Sequence, residues 1–456
     1  MRYVKYILSV YIVLIPFIEI YKSGFLASLI DTGYDNNKWV AYIDESIACV
    51  LLVLLIVCAL LNKTTYQFRL IPKKALVAFV FLGLYSGIYN YNSILRTILG
   101  IADLLKYFII LLGFTMFCRC NEAVLKKVIN CLYIIGAIAS IMAIIDEAFL
   151  LIQKTDLLIQ FYPETTNIVR FVRGQIWGAI SIFGHHNGLG YFQAVLTTIL
   201  IAELMTRSKP RSVSFCLLFL LFLIGLILST SRSSIFAVII SSISLFTVRF
   251  YAGHAVVRRK TVASYVFILF GVFLAAFYLA NSIEAETKAL FEDQESTLRT
   301  MAAANALTIV TKSPLLGVGP GSYGGSVSFK LPSPIYENIY FPPKIFEFAE
   351  KIQSLDSFYS QIFAEYGIIG AFVFLWFIFS LSSHLKKQAM LSFNNGNKTV
   401  AAFRFATSGL FVSFYFLFMG GTLNSPLYGL LTCAIAGAAL GAKFKIKCVY
   451  STVSAT

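Results

Sequence analysis

Apolar runs of eighteen residues or more recur along this chain, and each is long enough to cross about 30 Å of hydrocarbon. A backbone inside lipid must satisfy its own N–H and C=O groups, which leaves only helices and closed barrels. Barrel strands alternate apolar and polar residues over about ten positions; these runs are continuous, so helices are predicted. A hydrophobic content of 58%, with 13% charged residues and a mean hydropathy of +0.78, belongs to an integral membrane protein. The expected fold class is all-α and polytopic, with about twelve spans near 4–21, 43–61, 75–93, 98–117, 125–152, 178–205, 212–230, 233–249, 262–281, 356–383, 401–419 and 424–442. The first run has no small-residue cleavage site behind it and reads as a retained helix.

The net charge of +15 points to nucleic acid only until its distribution is considered. Lys63, Arg69, Lys73 and Lys74 lie between spans two and three, and Arg207, Lys209 and Arg211 follow span six. Arg249, Arg258, Arg259 and Lys260 follow span eight, Lys386, Lys387, Lys398 and Arg404 follow span ten, and Lys443, Lys445 and Lys447 end the chain. The opposite loops carry Asp31, Asp35, Asp44, Glu45, Asp156 and Glu164. The positive-inside rule therefore places both termini in the cytoplasm, and the basic balance is topological, with no nucleic-acid partner. The 8 cysteines lie within spans or on the cytoplasmic side, so no outer disulfide framework is expected. Three regions follow: spans one to nine over 1–281, a large extracytoplasmic loop over 282–355, and spans ten to twelve with a basic cytoplasmic tail over 356–456.

Polar groups inside the spans are few. Asp103 and Lys106 share a helical face in span four. A lone charge at bilayer depth costs ~2.5–3.5 kcal/mol, so these two should pair or face the bundle interior. On the outer side, Arg170 and Arg173 work against the positive-inside bias; they either snorkel to lipid phosphate or bind an anionic substrate. The sequence Phe183-Gly-His-His-Asn-Gly-Leu-Gly190 ends span six. His185, His186 and Asn187 lie between glycines, which allow a ligand to approach closely. Adjacent histidines point in different directions on a helix and no third ligand is evident, so no metal is expected. Arg232 stands in Leu228-Ser-Thr-Ser-Arg-Ser-Ser234, a turn of hydroxyls and one guanidinium. In so apolar a setting it needs anionic oxygens or several carbonyls, which means anion binding or a structural network.

The 282–355 loop exceeds any ordinary connection. Residues 292–311 have helical character, with Leu298, Met301, Ala302, Asn305 and Ile309 on one face and Arg299 near the start, where free N–H groups also favour an anion. Leu315-Leu-Gly-Val-Gly-Pro-Gly-Ser-Tyr323 is a glycine-rich turn without the lysine of a P-loop. The aromatics of 330–355, like Tyr323, suit stacking on sugar faces or covering a cleft. Asp356-Ser-Phe-Tyr359 marks the re-entry into lipid, where Asp356 is either a helix N-cap or a reactive carboxylate.

Phe183-Gly-His-His-Asn-Gly-Leu-Gly190, Thr230-Ser-Arg-Ser-Ser234, Ser313-Pro-Leu-Leu-Gly-Val-Gly-Pro-Gly321, and Asp356-Ser-Phe-Tyr359 with Glu365-Tyr-Gly-Ile-Ile-Gly370 occur in one order. Together they resemble the O-antigen ligase and polymerase family of bacterial envelope glycosyltransferases. The resemblance implies a GT-C-like membrane enzyme at the outer face of the bacterial cytoplasmic membrane, with no cofactor and no metal. Its donor and acceptor would be undecaprenyl-diphosphate-linked oligosaccharides, its environment the bilayer, and its possible protein partner a chain-length regulator. By position, Arg232 and Arg299 correspond to the family's arginines, and Asp356 stands where its ligases carry a catalytic histidine followed by Asn. Here Ser357 follows, which looks more like the repeat-unit polymerases. Arg173 is ten residues before Phe183, farther than the family's usual arginine. The implied site is Asp356, Arg232 and Arg299 for the chemistry. Arg173, Arg170, His185, His186, Asn187, Ser357, Tyr359 and Tyr323 would contact the substrate. The implied reaction is polymerisation of repeat units, with transfer to a lipid A core or protein by a ligase as the alternative enzyme. A flippase of lipid-linked sugars is the alternative from another class, although transporters show repeated halves with helices broken at mid-membrane.

Overall fold

The computed structural model describes residues 2–22, 43–60, 73–118, 121–152, 172–173, 176–177, 179–183, 185–206, 213–251, 271, 294–352, 354–355, 357–416 and 426–442. The helices among them are α1 (Arg2–Lys22), α2 (Ile43–Leu60), α3 (Lys73–Tyr89), α4 (Ile94–Phe117), α5 (Glu122–Leu151), α6 (His186–Thr206), α7 (Val213–Leu228) and α8 (Arg232–Tyr251). They continue with α9 (Gln294–Lys312), α10 (Ser326–Lys330), α11 (Pro343–Ile352), α12 (Phe358–Asn394), α13 (Lys398–Phe416) and α14 (Leu431–Gly441). The one departure from all-α among the described residues is a hairpin of two short strands, β1 (Val172–Arg173) and β2 (Ile176–Trp177), paired antiparallel with Arg173 opposite Ile176.

Helices stand at every predicted span whose residues are described. The predicted ninth span, 262–281, lies outside them apart from Gly271, as does the interfacial helix expected near 156–162. By length and composition α4, α5, α6 and α12 can each cross a membrane, and α2, α3, α7, α8 and α14 are shorter apolar helices. The predicted sixth span starts later than its hydropathy suggests. Residues Ser181–Phe183 form a 3-10 turn before α6 begins at His186. That turn is held by polar bonds: Asp146 Oδ2 accepts from Ser181 N at 2.6 Å, and Ser181 Oγ donates to Ala139 O at 2.6 Å.

Close backbone approach organises the bundle. The Ala- and Gly-rich α14 is buried along its whole length and packs on α4 and α13. A Cβ on Gly437 would lie 2.6 Å from Leu111 O of α4, and one on Gly409 would lie 3.1 Å from Ser241 O of α8. Packing and interhelical polar contacts, not hydrophobic transfer, hold helices together in lipid, and small residues allow them. Ser382 of α12 and Ser408 of α13 exchange hydroxyl bonds of this kind at 2.9–3.0 Å. At one end of the bundle, Arg404 of α13 is 1% exposed and donates to Ala439 O, Leu440 O, Gln388 O and Ser392 Oγ. It thereby closes the carbonyl end of α14.

Residues 294–355 form a module with its own core at the other end. The core consists of Leu298, Ala302, Ala306, Ile309, Tyr323, Ile345, Ala349 and Leu355, joined by Ala364 of α12. The face predicted for α9 is the one that packs, with Asn305 as the polar exception: its Nδ2 donates to Tyr340 O at 2.9 Å.

Candidate functional site

Two of the sequence segments singled out above meet at the module end of the bundle. Thr230 takes a left-handed φ of 50°, which turns the chain sharply between α7 and α8 and leaves Ser229, Ser231 and Ser234 facing α6. Ser231 Oγ donates to Asn187 Oδ1 at 2.9 Å and lies 2.8 Å from Ser234 Oγ. Ser233 Oγ donates to Tyr191 OH at 3.2 Å. The fit depends on Gly190, where a Cβ would lie 2.6–2.8 Å from Ser231 Cβ, Ser234 Oγ and Ser229 Oγ. Arg232 is the first residue of α8 and is partly exposed. His185 is exposed and His186 buried; their rings stack at 4.5 Å, and His185 Nδ1 accepts from Asn187 N at 3.1 Å.

An aromatic path leads from this cluster to the start of α12. Tyr191 packs on Tyr428 at 5.6 Å, and Tyr428 packs on Phe414 at 5.3 Å and shares a 2.6 Å hydroxyl bond with Ser413. Tyr359 OH donates to Phe414 O. Ser357 and Ser360 are buried with their hydroxyls 2.5 Å apart. Asp356 and Arg170 lie outside the described residues, as does the side chain of Arg173.

The glycine-rich turn proves to be a clamp between the module and the bundle. Gly317, Gly319, Gly321 and Gly324 all have positive φ, and Gly367 interrupts α12 with φ 64° and ψ −167°. Val318 N donates to Ala364 O at 2.8 Å, Gly319 N to Glu365 O at 2.9 Å, and Ile368 N to Pro314 O at 2.9 Å. From the last turn of α3, Ser86 Oγ donates to Leu316 O at 2.6 Å, and from the α3–α4 turn Asn90 Nδ2 donates to Gly317 O at 3.1 Å and Asn92 Nδ2 to Val318 O at 2.9 Å. Glu365, with no exposure, accepts from Tyr323 N at 3.0 Å and Gln361 Nε2 at 3.4 Å.

Two expectations need correction. Tyr323 does not face a ligand: it is fully buried in the module core and donates to Ala302 O at 2.6 Å. The aromatics of 330–355 stack on one another and on Phe329: Phe329 on Tyr336 at 5.3 Å and Tyr336 on Phe346 at 5.4 Å. The reason is shared: a module with so small a core recruits its rings to fill it. Burial pushes the Tyr336 phenol up to about 12, and the nearby Glu365 carboxylate adds to the effect. Burial, and then Tyr336, push Tyr323 well above the ordinary tyrosine range. Arg299 follows the buried Leu298 on α9 and is partly exposed. The clamp roles of Ser86, Asn90, Asn92 and Glu365 were not read from sequence; the only local sign was the polar run Asn90-Tyr-Asn-Ser93 between two apolar helices.

Residues 217–375, from α7 to the middle of α12, match the family model of the O-antigen ligases. This stretch is similar to the O-antigen ligases. It holds Arg232, Arg299 and position 356, while Asn187, which accepts from Ser231, and the two histidines before it precede its start. No curated protein matches the chain in a sequence comparison. By length and composition, several of the described helices are apolar enough to span a bilayer.

Proposed function

We propose that this protein joins undecaprenyl-diphosphate-linked oligosaccharide repeat units into a surface polysaccharide (O-antigen, capsule or exopolysaccharide). The work would be done at the outer face of the bacterial cytoplasmic membrane, with both termini in the cytoplasm. The observation that carries the reading is Arg232, held at the head of α8 in a turn of serines that is bonded to Asn187, inside the O-antigen ligase-like stretch. A guanidinium so placed matches the developing charge on a leaving diphosphate, and Arg299 on α9 supplies a second cation.

In the proposed step an acceptor hydroxyl attacks the anomeric carbon of the donor sugar. The new C–O bond forms as the bond to the lipid diphosphate breaks, and the diphosphate leaves with the electron pair. Asp356 takes the hydroxyl proton and later returns it to water. A direct displacement inverts the anomeric centre. His185, His186, Asn187 and the Arg170–Arg173 segment would position the glycan and its diphosphate. With arginines neutralising charge, no metal or cofactor is needed.

The family description favours a second reading, a ligase transferring finished glycan to lipid A core or protein. Asp356, where such ligases carry histidine, weighs toward the polymerase. Reconstitution with a lipid-linked oligosaccharide separates them: a polymerase yields a ladder of lengths, a ligase one transferred product. Arg232→Lys, Arg299→Ala and Asp356→Asn should each lower the transfer rate by about a hundredfold or more. Full-length polymer from all three variants at normal protein levels would sink the mechanism. Lipid-sugar flux into vesicles that survives Arg232→Ala with Asp356→Asn would instead support a transporter.

A further inference from the structure

Two residues that are not glycine hold left-handed backbone close to Arg232 in the fold: Ser181 at φ 54° and Thr230 at φ 50°. Both are buried. A β-branched residue in this region is an outlier, and such conformations persist only where the surroundings hold them. Here the two turns are tied together. Ala179 N donates to Leu228 O at 2.9 Å, which gives a partner to one of the carbonyls left open at the end of α7. The elbow that follows is short. Thr230 N donates to Ile227 O at 2.9 Å, and Ser231 O already accepts from Ile235 N of α8 at 3.2 Å. Arg232 stands four residues after Leu228, so its backbone has no slack relative to the Ala179 bond.

The first of these turns is fixed from α5. Asp146 is 3% exposed and accepts from Ser181 N at 2.6 Å, while Ser181 Oγ donates to Ala139 O at 2.6 Å. A carboxylate buried in a membrane bundle is costly. An amide could accept the same N–H, but a charged acceptor makes the bond roughly twice as strong. The charge is therefore matched to a turn that must be held against its own strain. The path is continuous. It runs from Asp146 to Ser181, back along the chain to Ala179, across to Leu228, and round the Thr230 elbow to Arg232. From the other side, Asn187 and the bare Gly190 of α6 hold the same elbow.

We infer that Asp146 is a positioning residue for Arg232: by locking the Ser181 turn it fixes the Thr230 elbow, and with it the backbone from which the Arg232 guanidinium extends. Its effect on glycosyl transfer rests on the proposed function; its hold on the elbow does not. A charge-neutralising group displaced by about 1 Å loses up to a hundredfold in rate, so a carboxylate that never touches substrate governs turnover through this path.

The test uses the full chain in nanodiscs and two readouts. The first is hydrogen exchange by mass spectrometry. Asp146→Ala should speed exchange at 229–232 about tenfold and leave the buried α14 unchanged, whereas Asp146→Asn, which keeps an acceptor, should speed it only about threefold. The second is transfer from undecaprenyl-diphosphate-linked glycans extracted from the native membrane. Asp146→Ala should lower turnover about thirtyfold and Asp146→Asn about threefold. In an Arg232→Lys background Asp146→Ala should add less than about a twofold loss, because the residue acts through Arg232. Unchanged exchange at 229–232 in folded Asp146→Ala would overturn the inference, as would an equal loss of turnover in both backgrounds. If α14 also opens, Asp146→Ala has misfolded and Asp146→Asn decides: faster exchange at 229–232 supports the path, and wild-type exchange there overturns it. Absence of transfer by the wild type would defeat the proposed function, while the exchange readout still decides whether Asp146 holds the elbow.

Discussion

Glu365 shows how much one buried residue can carry. Its carboxylate has no exposure, joins the module to α12 through Tyr323 N, and also accepts from Gln361 Nε2 within α12. Glu365→Gln puts an amide N–H₂ among those donors, and a mismatched buried donor costs about 1–3 kcal/mol. The variant should unfold at lower temperature in detergent by light scattering or fluorescence; an unchanged midpoint would show that the carboxylate is dispensable. Tyr336 offers a pH reading at the same scale. Its folded pKa of about 12 lies above the ordinary 10, so the folded state holds the proton longer. Its share of stability is therefore full below about pH 10 and lost as pH rises from there to about 12. Difference absorbance of wild type against Tyr336→Phe should show no phenolate signal from this ring until the upper end of that window. A signal at pH 10 would contradict its burial.

The element that decides the architecture is α12, and it works because it is broken. Gly367 takes φ 64°, and a Cβ there would lie 2.6 Å from the carbonyl of Leu315. Gly367→Ala meets both a backbone penalty and a clash with backbone atoms that have no rotamer to escape into. We expect the module to detach from the bundle. The consequence would be rapid proteolysis within 294–355 and loss of transfer, while the helix content of the remaining bundle measured by circular dichroism stays near wild type. Wild-type resistance to protease in this variant would mean that the clamp is not what holds the module. The hydropathy pattern showed a span entering near 356, but a helical reading has no means of marking the one residue whose φ is positive.

At the scale of the molecule, the two ends of the bundle are secured differently. The module end uses the clamp. The other end uses Arg404, which is 1% exposed and bonded to three carbonyls and a hydroxyl. Arg404→Met would leave those acceptors unmatched and should cost about 3 kcal/mol. Its effect should appear as lower yield of folded protein, with unchanged substrate affinity in the fraction that folds; a change in affinity alone would contradict a purely structural role. Counting Arg404 among the cytoplasmic charges was reasonable from its position beside a basic loop. Only the packed bundle shows that its guanidinium is turned inward.

Hydropathy alone determined the helical class and the placement of most helices, because lipid demands internal hydrogen bonding and about twenty apolar residues per crossing. It also made Asp103 and Lys106 partners, 3.0 Å apart in the structure, since a charge three residues from its opposite on one helix has few alternatives. The tertiary structure decided what the glycine-rich turn is for, because its partners, Ser86, Asn90 and Asn92, lie more than two hundred residues earlier in the chain. It also decided that Tyr323 is core and that Asn187 and Ser231 share a bond. Each of these is a long-range contact set by how helices pack, and no local period or composition encodes it.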